Sequence, residues 1–188
     1  MPRDIAVLDA CVLHAAPLRD LLLRLALADL YRPRWTDEIH EEWMRSVLER
    51  RPDLTLAKLQ RTRVLMDAAV PDGLVSGYEE RAQNPRLPDP ADEHVLAAAL
   101  HCGAETIVTY NLADFPVAVL KPLGLTALHP NDFLCDMFHS SPLAFLEALD
   151  AQLRALTNPP RSLPELLDTF RAIGLERTVT ELETVLMR

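Results

Sequence analysis

Cysteine is scarce in this chain. Of the 188 residues only three are cysteines, Cys11, Cys102 and Cys135, separated by 91 and 33 positions. Neither the close cysteine pairs of a zinc site nor the even number typical of a disulfide framework is present. We therefore expect three small, buried hydrophobic side chains in a protein of a reducing compartment.

Long hydrophobic runs are also lacking. The longest apolar stretch, LLLRLALADL, contains Arg24 and Asp29 and falls short of the roughly 20 residues that a membrane span needs. Asp4 and Asp9 interrupt the N-terminal segment where a secretory signal would be continuously apolar. With 49% hydrophobic and 25% charged residues, the chain is expected to be a soluble, cytoplasmic, globular protein without a membrane partner.

Basic residues are too few for bulk attraction to nucleic acid. The net charge is −9, with 13 basic and 14 acidic residues in 1–86 but 6 and 14 in 87–188. A nuclease is not excluded, because its active site must be acidic to hold a metal ion. Residues 43–66 carry a local excess of +4, which indicates either a phosphate-contacting surface or two solvated helix faces. The basic residues of this segment are Arg45, Arg50, Arg51, Lys58, Arg61 and Arg63.

The N-terminal half predicts one strand followed by three helices. The run IAVLD is short, apolar and ends in an acid, as a buried parallel strand does. Pro17 suits the first turn of a leucine-rich helix, and Thr36 suits the N-cap of a second helix that runs to about Glu49. A third amphipathic helix is predicted over 55–67.

A helix, a glycine and a strand form the clearest local signal. Asp89 is predicted to cap a helix that begins at Pro90 and stops at Gly103, and 106–110 reads as a second buried strand. This alternation of strand and helix predicts an α/β fold with a parallel sheet flanked by helices. Two further strand-like runs lie at 117–120 and 125–128.

Beyond Pro130 the pattern becomes helical, with helices predicted over 131–139, 142–157, 163–173 and 177–187. We expect one α/β domain over 1–139 and a helical C-terminal extension over 140–188.

Active sites of parallel sheets lie at the C-terminal ends of the strands, and five polar residues from separate segments could converge at that edge. Three of them end or follow a predicted strand, one lies in the first turn of the helix before the second strand, and one lies on the second helix. They are Asp9, Glu42, Asp92, Asn111 and Asp114. Clustered carboxylates need raised pKa values or a cation, and a set of oxygen ligands favours Mg²⁺ or Mn²⁺. Each residue also has a structural interpretation: a turn after a strand, a helix N-terminus or a solvated helix face. The combination favours a metal site.

Three segments carry a family resemblance: IAVLDACVL, TDEIHEEW and DPADEHVLAAALHCGAETIVTYNLADF. They resemble the PIN domain, and in particular the VapC-type toxin ribonucleases of bacterial type II toxin–antitoxin pairs. The resemblance covers about residues 4–135, and its most specific part runs from Thr109 to Phe115. The helical segment from about His129 is similar to the C-terminal extension of one VapC subgroup.

The resemblance implies a PIN-like fold and a metal-dependent endoribonuclease. Asp9, Glu42, Asp92 and Asp114 would hold Mg²⁺ or Mn²⁺, with Glu38 as the alternative to Glu42. Asn111 and Asp114 would share the fourth acidic position, and Thr109 would orient the site. Activated water would then leave a 5′-phosphate and a 3′-hydroxyl.

The resemblance also implies RNA as substrate, a cognate VapB-type antitoxin and a homodimer. RNA would contact the basic side chains of Arg45, Arg50, Arg61 and Arg63. In the family, the first acid is often followed by Thr or Ser and then Asn, whereas Ala10 and Cys11 follow Asp9 here. The hydroxyl that commonly supports this acid is therefore expected to be missing.

Two other functions are compatible with parts of the pattern. A PIN scaffold without catalysis could bind RNA or protein, which the Ala10–Cys11 departure favours and the complete set of acids opposes. A phosphoryl-accepting receiver domain would need paired acids on the first strand, and only Asp9 is present there. The histidines show no shared ligand spacing, and His94 is expected to face solvent.

Overall fold

The centre of the protein is a parallel sheet of four short strands. The computed structural model describes residues 4–79 and 86–186. The strands are β1 (Ile5–Leu8), β2 (Arg32–Arg34), β3 (Thr106–Val108) and β4 (Thr126–Leu128), in the order β2-β1-β3-β4. Every pairing is parallel, and Leu8 lies opposite Val108 in the register of β1 with β3. The predicted α/β fold is confirmed.

The two inner strands are the ones that the sequence predicts. Ala6, Val7 and Leu8 are fully buried, as are Ile107 and Val108, because helices cover an inner parallel strand on both faces. β3 ends at Val108, two residues before the predicted end. β2 has the sequence Arg-Pro-Arg and was not predicted; it is an edge strand, where proline is tolerated.

Ten helices surround the sheet in the described part of the chain. They are α1 (Ala10–Leu13), α2 (Ala16–Leu27), α3 (Asp37–Arg50), α4 (Leu56–Ala69), α5 (Glu93–Cys102), α6 (Val117–Leu120), α7 (Pro130–Ser140), α8 (Pro142–Ala155), α9 (Leu163–Ala172) and α10 (Glu176–Leu186). Short 3-10 turns lie at Pro90–Asp92, Leu112–Asp114 and Lys121–Leu123.

Caps place the helix ends close to their predicted positions. The Thr36 hydroxyl accepts a hydrogen bond from the Ile39 amide at the start of α3. Gly103 ends α5 in the left-handed conformation, with φ of 67°. Asp89 caps the 3-10 turn that leads into α5 rather than the α-helix itself. The predicted end of the last helix, residue 187, lies outside the described residues.

The prediction of a strand over 117–120 was wrong, since this segment is the short helix α6. Val117 is 73% exposed and Leu120 is buried, so the four residues do not alternate between core and solvent as a strand of the sheet would. The second strand-like run, predicted over 125–128, does form β4.

A buried polar network fixes α3 against its surroundings. The Trp35 indole donates to Asp67 Oδ1 over 2.8 Å, and His40 Nε2 lies 3.1 Å from the same oxygen. Trp43 Nε1 donates to His40 Nδ1 over 2.9 Å, so His40 Nδ1 is an acceptor and its proton lies on Nε2. Burial lowers the pKa of His40 in spite of the hydrogen bond and charge of Asp67. These hydrogen bonds fix the buried face of α3, which carries His40 and Trp43, and so fix the orientation of the whole helix.

The C-terminal helices share one hydrophobic core with the sheet. Phe145 on α8, Phe170 on α9 and Val179 on α10 are fully buried in the same cluster as β1. Polar contacts also join the two parts: the Tyr110 hydroxyl donates to the Ile173 carbonyl, and Gln152 Nε2 donates to the Pro17 carbonyl, both over 2.8 Å. The division at residues 139 and 140 remains a prediction.

Among the described residues, no helix has both the length and the apolar composition needed to cross a membrane.

Candidate active site

Asp9 lies at the carboxyl end of β1, directly before α1, and is only 4% exposed. Its backbone amide donates to the Val108 carbonyl over 3.1 Å, which ties the ends of β1 and β3 together. Its carboxylate Oδ2 accepts two hydrogen bonds, from the Thr109 hydroxyl over 2.6 Å and from the Cys11 thiol over 3.1 Å. A buried carboxylate is thus held by donors from two different segments.

Thr109 and Cys11 supply the support that the sequence seemed to lack. The residue after Asp9 carries no hydroxyl, but the hydroxyl of Thr109 reaches it from the end of the neighbouring strand. Burial and the Asp9 charge raise the pKa of the Cys11 thiol to about 12, so Cys11 keeps its proton for donation. The Cys11 sulfur also accepts from the Tyr110 amide over 3.2 Å.

Asp92 lies in the 3-10 turn before α5 and shares the electrostatic environment of Asp9. Its pKa is raised to about 6, first by burial and then by the charges of Asp9, Asp114 and Asp89, while His94 opposes the shift. The pKa of a carboxylate rises on burial and rises further when neighbouring negative charges repel its ionised form. The charges of Asp9 and Asp114 therefore reach Asp92, although the three residues belong to separate segments of the chain.

Asp114 and Asn111 lie in the loop that follows β3. Asp114 belongs to the turn Leu112–Asp114, and its charge acts on Asp92. Asn111 is exposed; its amide donates to the Thr109 hydroxyl over 3.0 Å, and its carbonyl accepts from the Asp114 amide over 3.1 Å. Asn111 thus shapes the loop through its backbone.

Glu42 lies on α3 next to a residue that the sequence did not identify. His94 Nε2 is 3.3 Å from Glu42 Oε1, and His94 Nδ1 is 3.6 Å from Glu38 Oε2. Glu38, Glu42 and His94 form a group of potential metal ligands whose ligand atoms lie within 4.8 Å of one another. Of the predicted metal ligands, Glu42 and its predicted alternative Glu38 belong to this group, whereas Asp9, Asp92 and Asp114 do not. The Tyr78 hydroxyl donates to Glu38 Oε2 over 3.3 Å and orients it.

The expectation that His94 faces solvent was wrong, because its exposure is 8%. Burial lowers the pKa of His94, but the close contact and charge of Glu42 and the charges of Glu38 and Asp9 outweigh it, and the pKa is raised overall. A signal was present in the sequence: α5 is apolar on nearly all sides, as a fully buried helix is. A histidine in such a helix is buried with it.

The basic residues of α3 and α4 are not equally available to a ligand. Arg63 pairs with Asp37 and lies 3.8 Å from Asp67, and Arg51 pairs with Asp53. Arg45 and Arg61 are exposed and make no ion pair with any of the described residues.

Comparison with known families identifies the family of this chain. A family model described as PIN domain matches residues 5–113, which is more than half of the chain. The chain belongs to the PIN domain family. In this PIN protein a second model, described as VapC50 C-terminal domain, matches residues 130–184 and covers α7 to α10. The family resemblance predicted from the sequence is confirmed.

A curated relative comes from Mycobacterium tuberculosis and is named "Putative ribonuclease VapC50". The two chains are 44% identical over 79 residues, which is 42% of this PIN protein and 47% of the relative. The match therefore spans about half the length of that relative. No solved structure matches this chain.

Proposed function

We propose that this PIN protein is a metal-dependent endoribonuclease and the toxin of a toxin–antitoxin pair, acting in the cytoplasm. The observation that carries the proposal is the buried Asp9 carboxylate, which Thr109 and Cys11 hold at the end of β1. Asp9 and Asp114 also act by their charges on Asp92, whose pKa is raised to about 6 first by burial. The name of the mycobacterial relative, a VapC-type ribonuclease, supports the same activity. The second candidate is an RNA- or protein-binding module on a PIN scaffold.

The residues of the site fit a divalent cation. Carboxylates that repel one another are stabilised by a positive charge placed between them, and oxygen ligands suit Mg²⁺ or Mn²⁺. In our proposal Asp9, Glu42, Asp92 and Asp114 hold the ion. Asp9 fits a ligand role because one of its oxygens is already fixed by two donors, which leaves the carboxylate in one orientation.

Each side chain has a task in this proposal. A bound divalent ion supplies a lowered pKa for water and stabilises negative charge on a phosphodiester. The Thr109 hydroxyl and the Cys11 thiol keep the Asp9 carboxylate oriented. A carboxylate of the group takes the proton of the attacking water. Hydrolysis by water leaves a 5′-phosphate and a 3′-hydroxyl. Asn111 and Asp114 complete the fourth acidic position.

Recognition of RNA is assigned to the basic helices beside the site. Arg45 and Arg61 are exposed and not neutralised by described acids, so they are the first candidates for phosphate contacts. Arg50 lies 3.4 Å from His14 and is a weaker candidate. Arg63 is engaged by Asp37 and Asp67, which fits it for positioning α4 against α3.

Partners follow from the same proposal. A VapB-type antitoxin would restrain the toxin, and the net charge of −9 suits a basic segment of such a partner. A homodimer is the assembly that we propose.

The experiment is cleavage of total RNA by the purified, antitoxin-free protein with and without Mg²⁺. We expect discrete 5′-phosphate products with Mg²⁺, none with EDTA, and none from Asp9→Asn. Asp136→Asn, which removes an exposed carboxylate on α7, is the matched control and should cleave normally. RNA binding without cleavage by the folded, Mg²⁺-loaded protein would favour the binding module instead.

A further inference from the structure

His94 has two buried ring nitrogens without a hydrogen-bond partner among the described residues. The separation from Glu42 Oε1 is 3.3 Å without the alignment that a hydrogen bond requires, and the separation from Glu38 Oε2 is 3.6 Å. A polar group that is buried and unsatisfied costs about 1–3 kcal/mol and calls for an explanation. A ligand between the imidazole and the two carboxylates would provide one.

We propose that Glu38, Glu42 and His94 form a second cation site, which takes a divalent transition-metal ion such as Mn²⁺ or Zn²⁺ in preference to Mg²⁺. The ion would bind one imidazole nitrogen and one oxygen from each carboxylate. This inference rests on the proposed function in one respect, because Glu42 also belongs to the oxygen site of the nuclease.

The spacing of the group fits direct coordination. Two ligands at about 2.1 Å from a common ion are about 3.0–3.4 Å apart in octahedral or tetrahedral geometry, and His94 Nε2 and Glu42 Oε1 are 3.3 Å apart. Glu38 lies one turn before Glu42 on α3, so both carboxylates project from the same helix face. The ligand atoms of all three residues lie within 4.8 Å of one another.

Neighbouring residues orient the group through hydrogen bonds and packing, as they do for metal ligands in proteins. The Tyr78 hydroxyl orients Glu38, and Tyr78 is itself buried against Ala97 and Ala98 of α5, the helix that carries His94. Glu38 is 53% exposed as a side chain and Glu42 31%. One side of the group is therefore open for water or a substrate oxygen to complete the coordination.

The imidazole determines which ion is preferred. Nitrogen ligands suit Zn²⁺, Fe²⁺ and Ni²⁺, and a mixed set of one nitrogen and two carboxylates suits Mn²⁺ as well, whereas Mg²⁺ selects oxygen. The group thus differs in chemistry from Asp9, Asp92 and Asp114, which offer carboxylates alone. Asp9 is nevertheless close enough for its charge to act on His94, so the two sites adjoin.

Pulsed EPR of bound Mn²⁺ distinguishes this site from the oxygen site, because only an ion that is coordinated by an imidazole shows coupling to nitrogen. The chelator-treated full chain is titrated with up to two equivalents of Mn²⁺ and the electron spin echo modulation is recorded. We expect ¹⁴N modulation from a coordinated imidazole, persisting in a tenfold excess of Mg²⁺. It should be absent from His94→Gln. It should be present in Glu41→Gln, which removes a carboxylate from a position of α3 outside the group, where Glu41 lines a groove with Met44, Arg45 and Leu48.

Further variants keep the inference falsifiable if His94→Gln does not fold. Glu38→Gln alters an exposed side chain and should weaken Mn²⁺ binding at this site about tenfold. In the unsubstituted protein, selective ¹⁵N labelling of histidine should replace the ¹⁴N modulation with that of ¹⁵N, which shows that the coupled nitrogen belongs to a histidine. Absence of nitrogen coupling at two equivalents, or its retention in folded His94→Gln, would overturn the inference. RNA cleavage without nitrogen coupling would refute the second site alone, and coupling without cleavage would refute the nuclease alone.

Discussion

The Thr109 hydroxyl donates a 2.6 Å hydrogen bond to Asp9 Oδ2, although the two residues are 100 positions apart in the chain. The contact exists because β1 and β3 are parallel neighbours that end at the same edge of the sheet, with Leu8 opposite Val108. The residues that directly follow these strands therefore meet. Ala10, which follows Asp9 in the sequence, has no hydroxyl, but Thr109 supplies one to Asp9 from the neighbouring strand.

Replacing Thr109 by valine should weaken both stability and activity. The substitution preserves shape but leaves the buried Asp9 carboxylate with Cys11 as its remaining side-chain donor, and the loss of a hydrogen bond to a charged group costs about 1.5–3 kcal/mol. Urea unfolding in EDTA measures this loss, and RNA cleavage should fall at least tenfold. Thr109→Ser should retain most of both, and Thr126→Val, on exposed Thr126 of β4, should change neither. A Thr109→Val protein with normal stability and activity would contradict a supporting role.

Replacing Asp92 by asparagine should stabilise the metal-free protein while abolishing cleavage. The folded-state pKa of about 6 lies above the ordinary value of 3.8, so ionisation opposes folding and stability falls as the pH rises from about 4 to 6. Thermal unfolding in EDTA should show a gain in Tm of a few degrees at pH 7.5 and about half of that gain at pH 5. Glu93→Gln in the next position is the charge control and should show no such pH dependence. A gain that is equal at both pH values would show that repulsion is not its cause.

The Cys11 thiol should resist alkylation in the native protein. With a pKa of about 12, its thiolate fraction at pH 8 is about one in ten thousand, compared with about a quarter for an ordinary cysteine. Peptide mass spectrometry after iodoacetamide treatment in EDTA should find Cys11 unmodified until urea unfolds the chain. Asp9→Asn removes one of the two main causes of the shift and should speed the reaction, with burial still slowing it. Equal rates in native and unfolded protein would show that the thiol is not protected.

Replacing Tyr110 by phenylalanine should lower stability without impairing the site. The Tyr110 hydroxyl donates to the Ile173 carbonyl, in the segment between α9 and α10, and a net loss of about 0.5–1.5 kcal/mol is expected. Urea unfolding should show this decrease, while kcat for RNA cleavage stays within about twofold. A loss of cleavage larger than the loss of folded protein would place Tyr110 in the active site instead.

The fold was predictable where a short segment carries its own signal. β1 is a continuous apolar run, and Gly103 marks the end of α5 by a conformation that favours glycine. β2 carries no such signal, because Arg32–Arg34 becomes a strand only by pairing with β1. Residues 117–120 were wrongly predicted as a strand, because valine and leucine suit a strand by composition. No strand of the described sheet pairs with them, and they form a helix instead.

The candidate site was predictable in its residue types and less so in its contacts. Asp9 and Asp114 were selected by the rule that polar residues near the carboxyl ends of parallel strands share one edge, and Asp92 by its place at the start of the helix before the second predicted strand. His94 was missed because its partners, Glu38 and Glu42, lie on a helix more than 50 positions away. The residues around His94 indicate that it is buried, but they do not indicate that it contacts Glu38 and Glu42.

The shared core has a consequence for the protein during its synthesis. Val179 and Leu182 of α10 pack in the same cluster as Val7 of β1, so the sheet lacks part of its support until those residues have left the ribosome. A chain still being translated holds its acidic residues on an incompletely packed scaffold. If the protein cleaves RNA, a nascent chain without α10 is therefore expected to cleave it less well than the fully packed protein.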